Sequence, residues 1–180
     1  MAGLTRTAEY NNVAMDLHPL SFGIGDRFAH QGVHQLKAFQ ELSKRGIQVV
    51  PVWNKSNREH TTVGSQPRAV MEEASNATKA LGWDQPWHVD ADHITFDSVD
   101  DYLDHADFFT IDVTAKIKSP LSPEEKQEFF DRFEHLSGEV FIDGIAAPFN
   151  ISTEELSGYG DKYWRAAQEA GRIFERISAS

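Results

Sequence analysis

Four short β-prone runs, each followed by a helical or polar stretch, constrain this chain more than any other feature. The runs are Leu20–Gly25, Ile47–Trp53, Trp87–Ile94 and Asp107–Val113. After the first, Val33, Leu36, Phe39 and Leu42 recur at three-residue intervals within Gln31–Lys44, an amphipathic helix stopped by Gly46. After the second comes a polar loop from Asn54 to His60, then a helix opened by Pro67 and ended by Gly82. Ser98–His105 supplies a short acidic helix after the third. Ser122-Pro-Glu-Glu125 starts a helix after the fourth, with Ser as cap, Pro in the first turn and acids near the positive end of the dipole. Glu139–Asp143 reads as a short strand, and Ser152–Ile177 as helix interrupted near Gly158 and Gly160. Strand and helix in strict alternation require a mainly parallel sheet with right-handed crossovers. The expected fold is therefore α/β, built of (β/α) units and TIM-barrel-like. Four units make a half or incomplete barrel. Residues 1–19 read as a lead-in and 20–180 as a single (β/α) domain.

Composition narrows the function. With 180 residues and 40% apolar content, including four Trp and twelve Phe, the chain can bury a core of ordinary size. A net charge of -11 argues against nucleic acid and anionic membranes as partners, but not against an anionic metabolite held by a few local cations. No cysteine is present, so neither disulfides nor thiolate zinc sites are available. Neither a signal peptide nor a membrane-length apolar run is evident, and a cytoplasmic location is expected.

Chemistry gathers in Trp87–Ile94. In an extended chain His88, Asp90 and Asp92 share one face while Val89 and Ala91 share the other, and His93 follows directly. In parallel α/β sheets ligands bind at the carboxyl ends of the strands. Those ends carry Asp26 and Arg27, then Asn54 and Lys55 with Arg58 and His60 behind, then Asp90, Asp92 and His93, then Thr110 and Asp112. Asp92 and His93 are the residue types that hold Mn, Zn, Ni, Co or Fe through oxygen and nitrogen, with Asp90, Asp112 or His88 as further candidates. Arg27 and Lys55 suit a substrate carboxylate or phosphate. His30 and His34, four apart, fit a solvated helix face better than a metal. Dinucleotide, P-loop, nucleophile-elbow and zinc-protease motifs are all missing.

Ser21-Phe-Gly-Ile-Gly-Asp-Arg27, His88-Val-Asp-Ala-Asp-His-Ile94 and Asp107-Phe-Phe-Thr-Ile-Asp-Val113, in that order, resemble the tagaturonate/fructuronate epimerase family of bacterial hexuronate metabolism. The resemblance implies a metal-dependent TIM-barrel isomerase that inverts the C4 hydroxyl of a keto-hexuronate, by retro-aldol opening of C3–C4 and re-addition. It implies Asp112 or Asp90 as base, a divalent ion on Asp92 and His93, and a sugar acid held by Asp26, Arg27, Asn54 and Lys55. Family members are longer, so the likeness covers only their amino-terminal half. An open half barrel exposes two sheet edges and favours a homo-oligomer or membership of a longer chain. Two further readings stay open: a divalent-metal aldolase or sugar-phosphate isomerase, and a truncated barrel that binds a sugar acid without turning it over.

Overall fold

A computed structural model describes residues 18–180. The lead-in expected over residues 1–19 therefore falls almost wholly outside the described residues. Four parallel strands form one sheet in sequence order: β1 (Ser21–Gly25), β2 (Val50–Ser56), β3 (His88–Ile94) and β4 (Phe108–Ile111). The register runs straight across, Gly25 beside Asn54, Asn54 beside Asp90 and Asp90 beside Phe108. Nearest neighbours in sequence are thus nearest neighbours in space, as in one arc of a barrel.

One face of the sheet is covered by helices. Helix α1 (Gly32–Lys44) buries Leu36 and Phe39, and α3 (Arg68–Leu81) buries Val70, Ala74 and Ala77 on one stripe at helical spacing. They close over Trp53 and Val89 in a single apolar cluster. A second cluster joins Ala91 and Ile94 of β3 to Val99, Tyr102 and Ile173. Ile173 belongs to α5 (Thr153–Ser178), which therefore covers the β3 end of the sheet. At the start of α1 the Glu73 carboxylate accepts the Gly32 N–H at 2.8 Å, and a Cβ on Gly32 would meet that same oxygen. That glycine marks a close approach of α1 to α3.

Several expectations need correction. The stretch after β2 is a helix, α2 (Asn57–Val63), where a polar loop was expected. Ser56 and Glu59 form a reciprocal capping box, and Gly64 ends the helix in a left-handed turn at φ 69°. The acidic stretch after β3 shrinks to a 3₁₀ turn, Val99–Asp101. Helix α4 (Pro123–Phe133) starts at the Ser122 cap as expected. The short strand expected at Glu139–Asp143 is β5 (Gly138–Val140), and it pairs antiparallel with β6 (Phe149–Ile151), which the sequence reading omitted.

Helix α5 runs unbroken through Gly158 and Gly160, against the interruption expected there. The reason is packing. Phe129 and Phe133 of α4 meet Trp164 of α5 edge to face, and the Phe129 ring lies where a Cβ on Gly160 would stand, 2.6 Å away. Gly160 is a close-approach residue, whereas Gly158 has nothing within 4 Å. Gly160→Ala is expected to destabilise the fold, because overpacking costs about 1–3 kcal/mol and outweighs roughly 1 kcal/mol of helix propensity. Gly158→Ala keeps the propensity gain alone, so its urea midpoint should rise while that of Gly160→Ala falls.

Candidate active site

The polar side of the sheet is the one the helices leave uncovered. Because side chains alternate, the pairing of Asn54, Asp90 and Phe108 puts Gly23, Gly25, Val52, Ser56, His88, Asp92 and Thr110 on that same side. Asn54 leans across toward β1. Its Oδ1 would lie 2.9 Å from a Cβ on Gly25 and its Nδ2 3.5 Å from one on Gly23, so the two glycines make room for this amide.

Asp90 sits half-buried, with the Thr110 hydroxyl donating to both its oxygens at 3.0 and 2.9 Å. Burial pushes its carboxyl above the ordinary carboxylate range and the charge of Asp92 adds to this, against the opposing pull of Thr110 and His93. Immediately beyond, the β3–β4 register shifts between Ala91 and Ile94, and His93 takes a left-handed backbone with φ 56°. This irregularity turns His93 back on its neighbour, Nδ1 at 2.6 Å from Asp92 Oδ1. Asp112, just past β4, accepts the Thr114 N–H at 2.8 Å, and that bond together with His93 holds its carboxyl below the usual range. His93 and Asp112 line one open pocket of about 350 Å³ with Ser56, Asn57 and Arg58. The carboxyl ends of β2, β3 and β4 therefore meet at a single rim.

Comparison with known proteins shows the family and the fold. A family model described as tagaturonate epimerase (UxaE) matches residues 4–157. The chain belongs to the tagaturonate epimerase family. Among solved structures, the native fructuronate-tagaturonate epimerase of Cohnella laeviribosi matches with a TM-score of 0.68 at 20% identity, covering 87% of this chain. The same enzyme with two glycerols matches with a TM-score of 0.69 at 19% identity, and again 87% of this chain is covered. At such identities the likeness speaks for the fold, a partial barrel of parallel strands. The chain spans 34% of the length of those solved enzymes, a third where the resemblance implied a half. No curated protein matches.

Not every residue expected at the tagaturonate epimerase rim is free to act there. The Asp26 carboxylate accepts the N–H groups of Phe28, His30 and Gln31 at 3.0, 2.6 and 2.7 Å. Burial raises its pKa, but these donors prevail and hold it below the ordinary value. Asp26 is thus occupied in shaping the β1–α1 turn. Arg27 faces Glu59, Nε to Oε1 3.5 Å. His88 stands at the opposite, amino end of β3, bound to Asp107 at 2.8 Å, and is no metal candidate at the rim. Ser56 and Asn57 line the pocket but were missed, and the signal available for them was the Ser56-x-x-Glu59 capping pattern.

Lys55 departs furthest from expectation. It pairs in register with Ala91, on the helix side, and only 1% of it is exposed. Its ammonium donates to Ser65 Oγ at 2.6 Å, and that oxygen also lies 2.9 Å from Nδ1 of His60. Burial lowers the Lys55 pKa, with Glu59 and Asp26 partly offsetting it. Lys55 anchors the chain around α2 from beneath and does not reach a ligand at the rim.

A divalent ion is the cofactor that the sequence resemblance led us to expect. Asp92 and His93 offer the right atom types, with Asp112 nearby, but no group of three or more His, Asp or Glu among the described residues forms a closed metal site. The fit is in kind and incomplete in number. No described helix is long and apolar enough to cross a membrane.

The buried network has a solution signature. His60 is 3% exposed and burial lowers its pKa from 6.5 to about 4, with Lys55 adding to the effect. Between those values the unfolded chain binds more protons than the folded one, so stability contributed by neutral His60 is present above about pH 6.5 and is lost as pH falls toward 4. The loss is on the order of 3 kcal/mol. Urea unfolding at pH 7 and pH 4.5 should show a smaller acid loss in His60→Gln than in the unsubstituted chain.

Proposed function

We propose that this chain forms the carboxylate-bearing side of a fructuronate–tagaturonate epimerase site, and that Asp90 is its base. The observation that carries the reading is the contrast between two carboxyls on one rim. Burial raises Asp90 above the ordinary carboxylate value and makes it the more basic of the two, while Asp112 is held low and tied to the Thr114 N–H. The sequence left both open as base, and the environment favours Asp90.

The C4 carbon of a 2-keto-hexuronate is not adjacent to its ketone, so proton removal from carbon cannot invert it directly. Asp90 would take the proton of the C4 hydroxyl. The C3–C4 bond then breaks, its electron pair moving into the enolate of C2 and C3 while C4 becomes an aldehyde. Rotation of the aldehyde and re-addition by C3 form the epimer, and Asp90 returns the proton. Asn54 on the adjoining strand would bind substrate hydroxyls, and Thr110 orients the Asp90 carboxylate through its donated hydrogen bond. Asp92 and His93 are this chain's contribution to a divalent metal site, the ion being Mn, Zn, Ni, Co or Fe; when bound, it would offset negative charge developing on substrate oxygens. Further ligands would come from beyond the described residues. The open edges of β1 and β4 support assembly with a second copy or with the rest of a longer chain. A cytoplasmic location is part of this reading, in keeping with a family of hexuronate metabolism.

Interconversion of tagaturonate and fructuronate, followed by NMR with each candidate ion added, tests the reading. Asp90→Asn should lower the rate by about 10²–10⁴-fold, the usual worth of a general base, and Asp112→Asn by much less. Equal rates for Asp90→Asn and the unsubstituted chain would remove Asp90 as base. Separately, Asp92→Asn and His93→Gln should each weaken Mn²⁺ binding in calorimetry.

A further inference from the structure

We propose that Arg58 is the residue that recognises the carboxylate of a sugar acid at this rim, and so the residue that sets preference for a uronate over the neutral ketose. The inference rests on the epimerase reading and extends it to substrate class. A uronate differs from the corresponding ketose by one terminal carboxylate. A site built to prefer it needs a cation that is near the reacting groups, open to a ligand and not already neutralised.

The cations expected to serve do not meet those conditions. Lys55 is enclosed on the helix side with its ammonium on Ser65. Arg27 is spent on Glu59 at 3.5 Å. Arg58 lines the same pocket as His93 and Asp112, is itself exposed, and has no acidic partner among the described residues. Its backbone is held in place by the reciprocal bonds of Ser56 and Glu59, which start the helix one residue to either side of Asn57 and Arg58. Glu59, the nearest acid in sequence, is itself occupied by the Ser56 cap and by Arg27. This arrangement leaves the planar fork of Arg58 for a carboxylate, which it can grip through two parallel N–H donors.

The pocket is also large enough for the task. The pocket of about 350 Å³ is lined by Arg58 together with His93 and Asp112, and its volume falls within the range of small-molecule sites. A six-carbon acid anchored by its carboxylate at Arg58 would extend its carbon chain toward the β3 and β4 ends. The negative groups there, Asp92 and Asp112, would repel a carboxylate placed the other way round, so attraction and repulsion select one orientation.

Calorimetric binding of tagaturonate and of tagatose, the ketose lacking the carboxylate, tests the assignment in the full chain. The unsubstituted protein should prefer tagaturonate, and Arg58→Gln should weaken tagaturonate binding by about 10- to 100-fold, the worth of a charged hydrogen-bonded contact, while leaving tagatose unchanged. Arg58→Lys should recover part of the preference, since it restores charge without the fork. Arg68→Gln removes the same charge from the exposed face of α3, where Arg68 faces Glu72, and should leave the preference as it was. If Arg58→Gln keeps the full preference, or weakens both sugars alike, the assignment to Arg58 is overturned while the epimerase reading stands. If the unsubstituted chain binds neither sugar, with or without added Mn²⁺, it is the epimerase reading that fails, and this assignment fails with it.

Discussion

The structure depends on the two-residue alternation of β3, locked in place by its register with β2. Val89 and Ala91 are drawn beneath the helices, and their burial leaves Asp90 and Asp92 no choice but the opposite side. A slip of one residue would bury two carboxylates in the apolar clusters that now hold Val89 and Ala91 and is forbidden by the cost of hiding unpaired charge. The apolar core and the acidic rim are thus one decision, made once along seven residues. Everything else at the rim is placed by reference to it: Asn54 by its pairing with Asp90, Thr110 by its bond to Asp90, and the β4 end by the strand's pairing beyond.

How much of this was legible in the sequence follows from the same periodicities. The four strands, α1, α3 and α4 were readable because apolar residues recur at two or at three to four positions, and turn residues close each run. The split of β3 into an apolar and an acidic face was readable for the same reason. Parity also carried a message that strand-end position alone does not. Lys55 lies one residue from Asn54, hence on the opposite side, and its register partner Ala91 is fully buried. A lysine so placed must find a polar partner under the helices, and Ser65 provides it.

What was not legible depends on contacts between distant residues. Nothing in the local pattern of α5 separates Gly158 from Gly160, yet one faces open space and the other a phenylalanine ring from α4. Helix α2 was hidden by its own polarity. Only the Ser56 and Glu59 spacing marks it, and with it Arg58 moves from a group behind the β2 end to the lining of the pocket. Asp26 looked like a ligand because it ends a strand beside glycines, but three backbone donors of the following turn claim it first.

The left-handed residue in β3 carries a consequence of its own. Strict pleating sends neighbouring side chains to opposite sides of a sheet, so adjacent residues cannot ordinarily serve the same ligand. At His93 the chain breaks that rule, and consecutive side chains end up facing each other across 2.6 Å. Such backbone conformations cost a non-glycine residue on the order of 1–3 kcal/mol. A descendant selected for robustness alone would relax this kink back into regular pleat, gaining resilience and scattering the imidazole and carboxylate that the distortion keeps together.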